Sequence, residues 1–437
     1  MLIEFRASNF LSYRDEVVLS MVADKNRELA ETNTFKQGNL TLLKTATIFG
    51  ANASGKTNLI TAMFFLNQLF RTKTDLDALF ANLPTFKLDT YSDENPIGFE
   101  LSFFLNGQRH RYGIELDHQG ICEEWLYFVP NRTEACYFVR DRNGILTTGS
   151  YFGDKKALDF IKPDRRRPFI FTLGQDSIKQ FEWAKQILIY LSSHMKPIQS
   201  DTAYTALIQE QLVDQKPDSF LQKEELVSLL KAADIGVTNI SVAKEKRTQE
   251  EIEFLNRLGT LLENTREIED VKYETYMHHH KYDDSNQLAG EEQFPLDMES
   301  RGTVKLYNLQ YPILQALKYG GILLVDEIDS SLHPLVCERI IQMFNSSVHN
   351  PKHAQLICTT HNTLLMNPAL LRRDQIFFTE KNKYGVSSLY SLYDIDLDIR
   401  NNFNYLNNYL AGRFGAVPYL GSFELAVKSQ EVDINER

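Results

Sequence analysis

The 437-residue sequence predicts an α/β fold with a parallel-stranded core, an antiparallel β subdomain and a helical insertion. Two apolar stretches, Leu42–Phe49 and Gly321–Val325, have the length and composition of buried strands. The first leads through a glycine-rich loop into Lys56–Phe70, where apolar residues recur on one helical face. Alternating apolar residues from 99 to 116, around an Asn-Gly turn, predict an antiparallel hairpin.

The composition is that of a soluble globular protein, with 43% hydrophobic and 24% charged residues. The net charge of −11 argues against extensive coating of nucleic acid but leaves room for a local basic face. The cysteines form no C-x-x-C pair, which fits a reducing cytosol. Since no signal peptide or run of about 18 apolar residues is found, we expect a cytoplasmic protein with no membrane segment.

Residues Gly50–Thr57 read GANASGKT and match the phosphate-binding pattern G-x-x-x-x-G-K-[ST]. A preceding strand and a following helix, both predicted here, are the context that supports this pattern. The glycines let backbone N–H groups point at a triphosphate, and the helix N-terminus adds partial positive charge. Lys56 would reach the β- and γ-phosphates, and Thr57 would bind Mg²⁺. The residues expected to contact nucleotide are Asn52, Ala53, Ser54, Gly55, Lys56, Thr57 and Asn58.

Two carboxylates, Asp326 and Glu327, directly follow the predicted strand Gly321–Val325. Beside a phosphate loop, the first acid can hold Mg²⁺ and the second can orient the attacking water. We therefore assign Asp326 to the metal and Glu327 to general-base catalysis. The alternative is a strand capped by solvated acids, but the continuation IDSSLHP favours the functional interpretation.

The segment Glu299–Thr303, of sequence ESRGT, precedes a helical stretch. Ser300 and Gly302 could bind an anion through a hydroxyl and exposed N–H groups, although the pattern alone favours a simple helix N-cap. Pro312 is expected to kink or split this helix.

A further predicted strand, Gln355–Thr360, ends at His361, which could donate to a γ-phosphate. The order of G-x-x-x-x-G-K-T, E-S-R-G-T, L-L-V-D-E-I-D-S-S-L-H-P and T-T-H resembles the ABC-type ATPases of the SMC, RecF and OLD group rather than AAA+ proteins. The opening segments Ile3–Arg6 and Asn9–Ser12 resemble the RloA-like, AAA-family ATPases of prokaryotic defence loci, as does the closing Tyr409–Pro418.

This resemblance implies an ABC-type P-loop head that binds ATP and Mg²⁺ between the protomers of a homodimer or higher oligomer. Ser300 and Gly302 of one protomer would face the γ-phosphate held by Lys56 of its partner. His361 would act as the phosphate sensor. The residues implied to lie near the dimer seam are Ser330, Ser331 and His333, and those implied on the nucleoside side are Arg6 and Asn9–Arg14. One departure is that the signature begins with Glu-Ser, where transporters have Leu-Ser.

Three regions are expected: an N-terminal ATPase lobe (1–154), a helical insertion (155–268) and a C-terminal ATPase lobe (269–437). Residues 24–40 are predicted to form a surface loop, and residues 281–293 a polar loop after a β segment. The stretches with helical periodicity in the insertion are Phe181–Leu191, Ser219–Ala232 and Glu245–Arg266.

Other polar clusters have simpler explanations. His278–His280 place only two imidazoles on one strand face, with no third metal ligand apparent. Lys162–Arg167 is flanked by prolines and resembles a solvated loop. Asp394, Asp396 and Asp398 lack an acidic partner strand, so a fused nuclease is not expected.

The sequence thus favours an ATP-hydrolysing switch of a prokaryotic defence system that acts with a separate effector protein. The rival hypothesis is a RecF/SMC-like ATPase that binds DNA for repair. A transporter subunit is disfavoured by the insertion and by the Glu-Ser signature.

Overall fold

The computed structural model describes residues 1–72, 76–175, 180–198, 204–214, 221–233, 236–261, 271–396 and 404–418. The strands are β1 (Leu2–Ser8), β2 (Val17–Ser20), β3 (Thr34–Gln37), β4 (Leu40–Leu43), β5 (Thr45–Gly50), β6 (Ile97–Leu105), β7 (Gln108–Asp117), β8 (Gly120–Val129), β9 (Ala135–Asp141), β10 (Ile145–Thr148), β11 (Met195–Ile198), β12 (Val237–Lys246), β13 (Val271–Tyr282), β14 (Leu288–Pro295), β15 (Ile322–Val325), β16 (Gln355–Thr359), β17 (Ile376–Lys381) and β18 (Ser387–Ser391). The α-helices are α1 (Ala30–Asn33), α2 (Lys56–Arg71), α3 (Asp77–Ala81), α4 (Phe169–Leu173), α5 (Glu182–Ser193), α6 (Thr205–Asp214), α7 (Lys223–Ala232), α8 (Gln249–Leu261), α9 (Arg301–Tyr319), α10 (Pro334–Asn345) and α11 (Tyr405–Leu410).

A six-stranded sheet of order β11-β15-β16-β5-β17-β18 forms the centre of the molecule. Its neighbouring strands pair in parallel, except that β17 and β18 are antiparallel. The carboxyl ends of β5, β15, β16 and β17 therefore meet at one edge of the sheet. In open parallel sheets this edge is where ligands bind.

A second, antiparallel sheet has the order β10-β9-β8-β7-β6-β1-β2. The predicted turn between β6 and β7 is confirmed, because Asn106 and Gly107 have φ of +50° and +77°, as a type I′ turn requires. Together the two sheets confirm the predicted fold class, an α/β ABC-type P-loop head with an antiparallel β subdomain.

Helix α2 packs between the two sheets. Its Leu59 and Met63 are fully buried in one core with Phe5 and Leu101 of the antiparallel sheet and Ile48 of β5. Burying such side chains contributes roughly 1.5–3 kcal/mol each, so this layer fixes the start of α2 relative to β5.

The other face of the central sheet is covered by α9 and α10. Strand β15 alternates accordingly, with Leu324 in the first core and Leu323 and Val325 in the second. Helix α9 continues through Pro312, so the expected split does not occur. Among the described helices, none combines the length and apolarity needed to cross a bilayer.

The predicted insertion is not wholly helical. Within 155–268, β11 joins the central sheet beside β15, and β12 joins β13 and β14 in a three-stranded sheet. Strand β11 was missed because it has four residues that include Lys196 and Pro197, a composition that edge strands tolerate. Glu245 and Lys246 belong to β12 rather than to a helix, and residues 262–266 lie outside the described part of the chain.

Three other loop and strand assignments were wrong. Residues 24–40 contain α1, β3 and the first residue of β4. Their polar composition suggested a surface loop, but polar Asn33 is buried, and its amide donates to Leu370 O (2.9 Å) and to Gln375 Oε1 (2.7 Å). The polar loop after β13 contains most of β14, which is exposed along nearly its whole length and so shows no apolar alternation. The predicted strand Leu42–Phe49 divides between β4 and β5.

Candidate functional site

The glycine-rich segment Gly50–Thr57 links the end of β5 to the start of α2, as predicted. Lys56 is only 5% exposed, and its Nζ donates to the carbonyl oxygens of Gly50 and Ala51, each at 2.9 Å. Burial lowers the pKa of Lys56, and the carboxylates that follow β15 oppose that shift. The ammonium group is therefore held over the loop, where phosphate oxygens could replace the carbonyls as its partners.

Residues from β17, β18 and the N-terminal segment hold the loop in place. Thr379 Oγ1 lies 2.6 Å from Ser54 Oγ, and Ser387 Oγ donates to Ser54 O at 2.6 Å. Gly55 adopts φ of +118°, and a Cβ there would lie 2.7 Å from Ser387 Oγ, so a side chain does not fit. The Tyr13 hydroxyl donates to Gly55 O at 2.8 Å.

The two predicted acids follow β15 and share one hydroxyl partner. Asp326 is 7% exposed and accepts hydrogen bonds from Thr359 Oγ1 at 2.6 Å and from Thr57 Oγ1 at 3.3 Å. The backbone N–H of Glu327 donates to the same Thr359 Oγ1 at 2.7 Å. Glu327 has φ of +48°, a left-handed conformation that costs roughly 1–2 kcal/mol for a residue with a Cβ. Such strain persists where surrounding contacts fix the residue, and it occurs often at functional sites.

His361 follows β16 and has an exposed side chain. Its backbone N–H lies 3.2 Å from each carboxylate oxygen of Asp329, in the segment after β15. The N–H of Ile328 donates to Thr359 O at 3.0 Å. The chain segments after β15 and β16 are thereby fixed to each other.

One open cavity of about 790 Å³ lies at this edge of the sheet. It is lined by Asn52, Ala53, Ser54, Gly55, Lys56, Thr57, Asn58, Glu327, His361 and Lys381. The fold thus brings the predicted phosphate loop, general base and phosphate sensor together, and it adds Lys381 from the end of β17.

Ser300 and Gly302 do not line this cavity. Ser300 Oγ accepts a hydrogen bond from the Thr303 N–H at 3.1 Å, which is the N-cap that the pattern alone favoured. A Cβ on Gly302 would lie 2.7 Å from Ser331 O, so the glycine allows α9 to approach the segment after β15. Gly302 therefore adjoins that segment, whereas Ser300 caps the first turn of α9.

The candidates for the nucleoside side fall in different places. Arg6 pairs with Glu4 at 2.7 Å and with Glu16 at 2.8 Å on the antiparallel sheet, outside the cavity lining. Ser12, in contrast, accepts a hydrogen bond from Asn58 Nδ2 at 2.6 Å. The segment 9–14 therefore supports the start of α2, whereas Arg6 belongs to a surface ion-pair cluster.

A family model described as "AAA domain, putative AbiEii toxin, Type IV TA system" matches residues 46–367, well over half of the chain. The chain belongs to this AAA family. The matched span begins at β5 and includes the phosphate loop, both acids and His361. The matched span thus contains every residue that lines the cavity except Lys381.

Comparison with solved structures matches the chain to the Smc head domain of Pyrococcus furiosus, with an extended coiled coil and bound to the C-terminal domain of ScpA. The two are 14% identical, the match covers 89% of this chain and 96% of that chain, and the TM-score is 0.37. No curated protein shows a significant sequence match.

The donor set in this AAA-family site fits Mg²⁺. Thr57 Oγ1 and Asp326 Oδ1 are neighbouring oxygen ligands, and Mg²⁺ is usually held by one or two carboxylates together with substrate phosphates. When bound, the ion would neutralise phosphate charge. Among the described residues, no group of three or more His, Cys, Asp or Glu side chains is arranged to hold a metal.

Side chains of the histidine and aspartate clusters that were assigned no function form hydrogen bonds with neighbouring residues. His278 Nε2 lies 2.8 Å from Ser241 Oγ, and His279 Nε2 lies 2.7 Å from Glu299 Oε1. Asp394 accepts a hydrogen bond from Ser391 Oγ at 2.8 Å, and Asp398 lies outside the described residues.

Sequence reasoning missed Thr359, Asp329, Ser387 and Lys381. Thr359 and Asp329 lie within stretches that had been identified, but their hydrogen bonds cross between strands that pair only in the folded chain. Ser387 and Lys381 lie in no motif. The sequence analysis made no strand assignment for the segment that contains them, so nothing placed it beside β5.

Thr359→Val is predicted to slow ATP hydrolysis by about 10- to 100-fold, the usual effect of removing a partner that orients a site residue. The change preserves shape but removes the hydrogen bond to Asp326 and leaves the Glu327 N–H without its acceptor. Steady-state turnover and the ATP dissociation constant should be measured together, and Thr359→Ser should retain activity. Wild-type turnover by a correctly folded Thr359→Val protein would show that this hydroxyl does not position the acids.

Proposed function

We propose that this AAA-family protein hydrolyses ATP and acts as a nucleotide-gated switch. The supporting observation is the convergence of Lys56, Glu327 and His361 on one cavity from three different strand ends. Lys56 binds the β- and γ-phosphates, and Asp326 with Thr57 binds Mg²⁺. Glu327 accepts a proton from the water that attacks the γ-phosphorus, and His361 donates to the γ-phosphate.

The switch is proposed to be a homodimer or higher oligomer with ATP at the seam. The placement of Ser300 and Gly302 supports this, because Gly302 lies beside Ser331 and neither residue lines the cavity of its own chain. From there they are available to a nucleotide held by a partner's Lys56. The Ser300 hydroxyl and the N-terminal N–H groups of α9 would then contact the γ-phosphate.

The biological role we propose is regulation of a prokaryotic antiphage system of the abortive-infection type, together with a separate effector protein. The family description, with its reference to a toxin and a toxin–antitoxin system, supports a defence role. A separate effector is proposed because the sequence motifs supply an ATPase cycle and no recognisable nuclease or other toxic activity. The parts of the chain beyond the nucleotide core, within 155–268 and after His361, are the proposed docking regions.

The first test concerns the chemistry of the site. Glu327→Gln should bind ATP normally but hydrolyse it at least about 100-fold more slowly, because the general base is lost. Lys56→Ala should lose ATP binding, since the buried ammonium group that pairs with the phosphates is removed. Binding can be measured by calorimetry and hydrolysis by phosphate release. Near-normal turnover by Glu327→Gln would remove that residue from the base role.

The second test concerns the shared site. Ser300→Arg and Lys56→Ala should each be inactive alone, because each disables one half of every composite site. Mixed heterodimers should recover one intact site, seen as ATPase activity that rises with the fraction of mixed species. Absence of recovery in demonstrated heterodimers would mean that each chain carries a complete site.

The third test separates the defence role from the rival role in DNA repair. Cells carrying the locus should resist phage, and both Lys56→Ala and Glu327→Gln should abolish that resistance. A partner protein should co-purify from the native host in a manner that differs between wild type and Glu327→Gln. DNA affinity that falls steeply with salt, together with DNA-stimulated turnover and no effect on phage, would instead favour the RecF/SMC-like function.

A further inference from the structure

Lys381 lies at the carboxyl end of a strand of the central sheet, as the proposed site residues lie at or just after the ends of other strands. Strand β17 pairs in parallel with β5, and Thr379 lies beside Gly50 in the register. Lys381 is two residues further on and therefore stands at the same edge of the sheet as the phosphate loop. It lines the 790 Å³ cavity together with Lys56. No sequence motif includes it.

The ammonium group of Lys381 makes no ion pair with any carboxylate in the part of the chain that the structure describes, and the residue is exposed. The nearby Lys383 differs, because its Nζ lies over the ring of Tyr384 at 5.0 Å from the centroid. Lys383 lines the second cavity described below but not the phosphate-loop cavity. Lys381 and Lys383 thus carry the same charge and lie two residues apart, but only Lys381 lines the phosphate-loop cavity.

Lys381 also lines a second cavity, of about 700 Å³, which adjoins the first. Polar side chains there include Asp15, Glu16, Asn382 and Ser388. Asp15 pairs with Arg14 at 3.0 Å and Glu16 pairs with Arg6 at 2.8 Å. Because a carboxylate accepts several hydrogen bonds, both acids can still accept from ribose hydroxyls or from the amino group of a base. Lys381 is therefore located where a phosphate-loop site meets a cavity that can hold a nucleoside.

The strand order gives the direction in which the nucleotide extends. In the central sheet β5 lies between β16 and β17. Glu327 and His361 follow β15 and β16, on one side of the loop, and Lys381 follows β17, on the other. A γ-phosphate beside Glu327 and His361 would leave the α-phosphate and the nucleoside toward β17.

We propose that Lys381 binds the α-phosphate of the nucleotide, with the nucleoside extending into the cavity beside Asp15 and Glu16. This assignment rests on the proposed ATPase function, because that function places the γ-phosphate beside Glu327 and His361. The contact is a charge-assisted hydrogen bond from an ammonium to a phosphate oxygen. Because ATP and ADP share the α-phosphate, Lys381 contributes equally to the binding of both.

The test compares Lys381→Gln with Lys36→Gln, a control that removes the same charge from an exposed lysine of β3 that lines neither cavity. The dissociation constants of ATP and ADP should both rise by about 10-fold in Lys381→Gln, as expected for losing one charge-assisted contact that is partly open to solvent. Lys36→Gln should change them by less than about twofold. Lys381→Arg keeps the charge and should retain most of the affinity.

The other possible outcomes of this experiment would contradict the assignment of Lys381 to the α-phosphate. Weaker binding of ATP alone would place Lys381 on the γ-phosphate and overturn the assignment. Unchanged affinity in a folded Lys381→Gln protein, or an equal loss in Lys36→Gln, would also overturn it, while the proposed ATPase function would stand. If the wild-type protein binds neither nucleotide, the proposed function fails, and this assignment fails with it.

Discussion

The parallel pairing of β5 with β16 and β17 is the constraint on which the site depends. Strand β5 comes from the N-terminal part of the chain, and both of its neighbours come from the C-terminal part. The phosphate loop follows β5, His361 follows β16, and Lys381 ends β17, so these groups meet only when the ladder has formed. Formation of the proposed nucleotide site is therefore inseparable from association of the two ends of the chain. Bringing segments that are far apart in the chain together costs loop-closure entropy. Burial of apolar side chains on both faces of the sheet offsets this cost.

Within that ladder, Thr359 connects the two acids, Asp326 and Glu327. Its hydroxyl donates to the buried carboxylate of Asp326 and accepts from the N–H of Glu327, so one side chain satisfies two polar groups at once. This helps to explain how Glu327 holds a left-handed conformation, since the backbone on that side has a fixed partner. The resulting geometry directs one acid toward Thr57 and leaves the other to line the cavity.

Buried polar residues also explain where the sequence analysis failed outside the site. Arg372 is 3% exposed and pairs with Asp24 at 2.6 Å and with Asp374 at 2.7 Å. This ion-pair cluster ties the beginning of the segment 24–40 to the C-terminal lobe. Polar composition predicted a surface loop there, because a charged side chain is usually exposed unless a partner is present. The partner is distant in sequence, so the local pattern could not reveal it.

The sequence by itself determined the phosphate loop, the helix after it, the strand that precedes Asp326 and Glu327, and the Asn106-Gly107 hairpin. Each of these depends on the spacing of neighbouring residues: glycines where the backbone must curve, apolar side chains at a helical or strand period, and a turn that needs positive φ. Only the tertiary structure decided that β11 completes the central sheet, that Thr359 joins the two acids, that Ser387 supports the loop, and that Lys381 enters the cavity. These are contacts between segments far apart in the chain. Local periodicity reports which face of an element is buried, but it does not report which other element buries it.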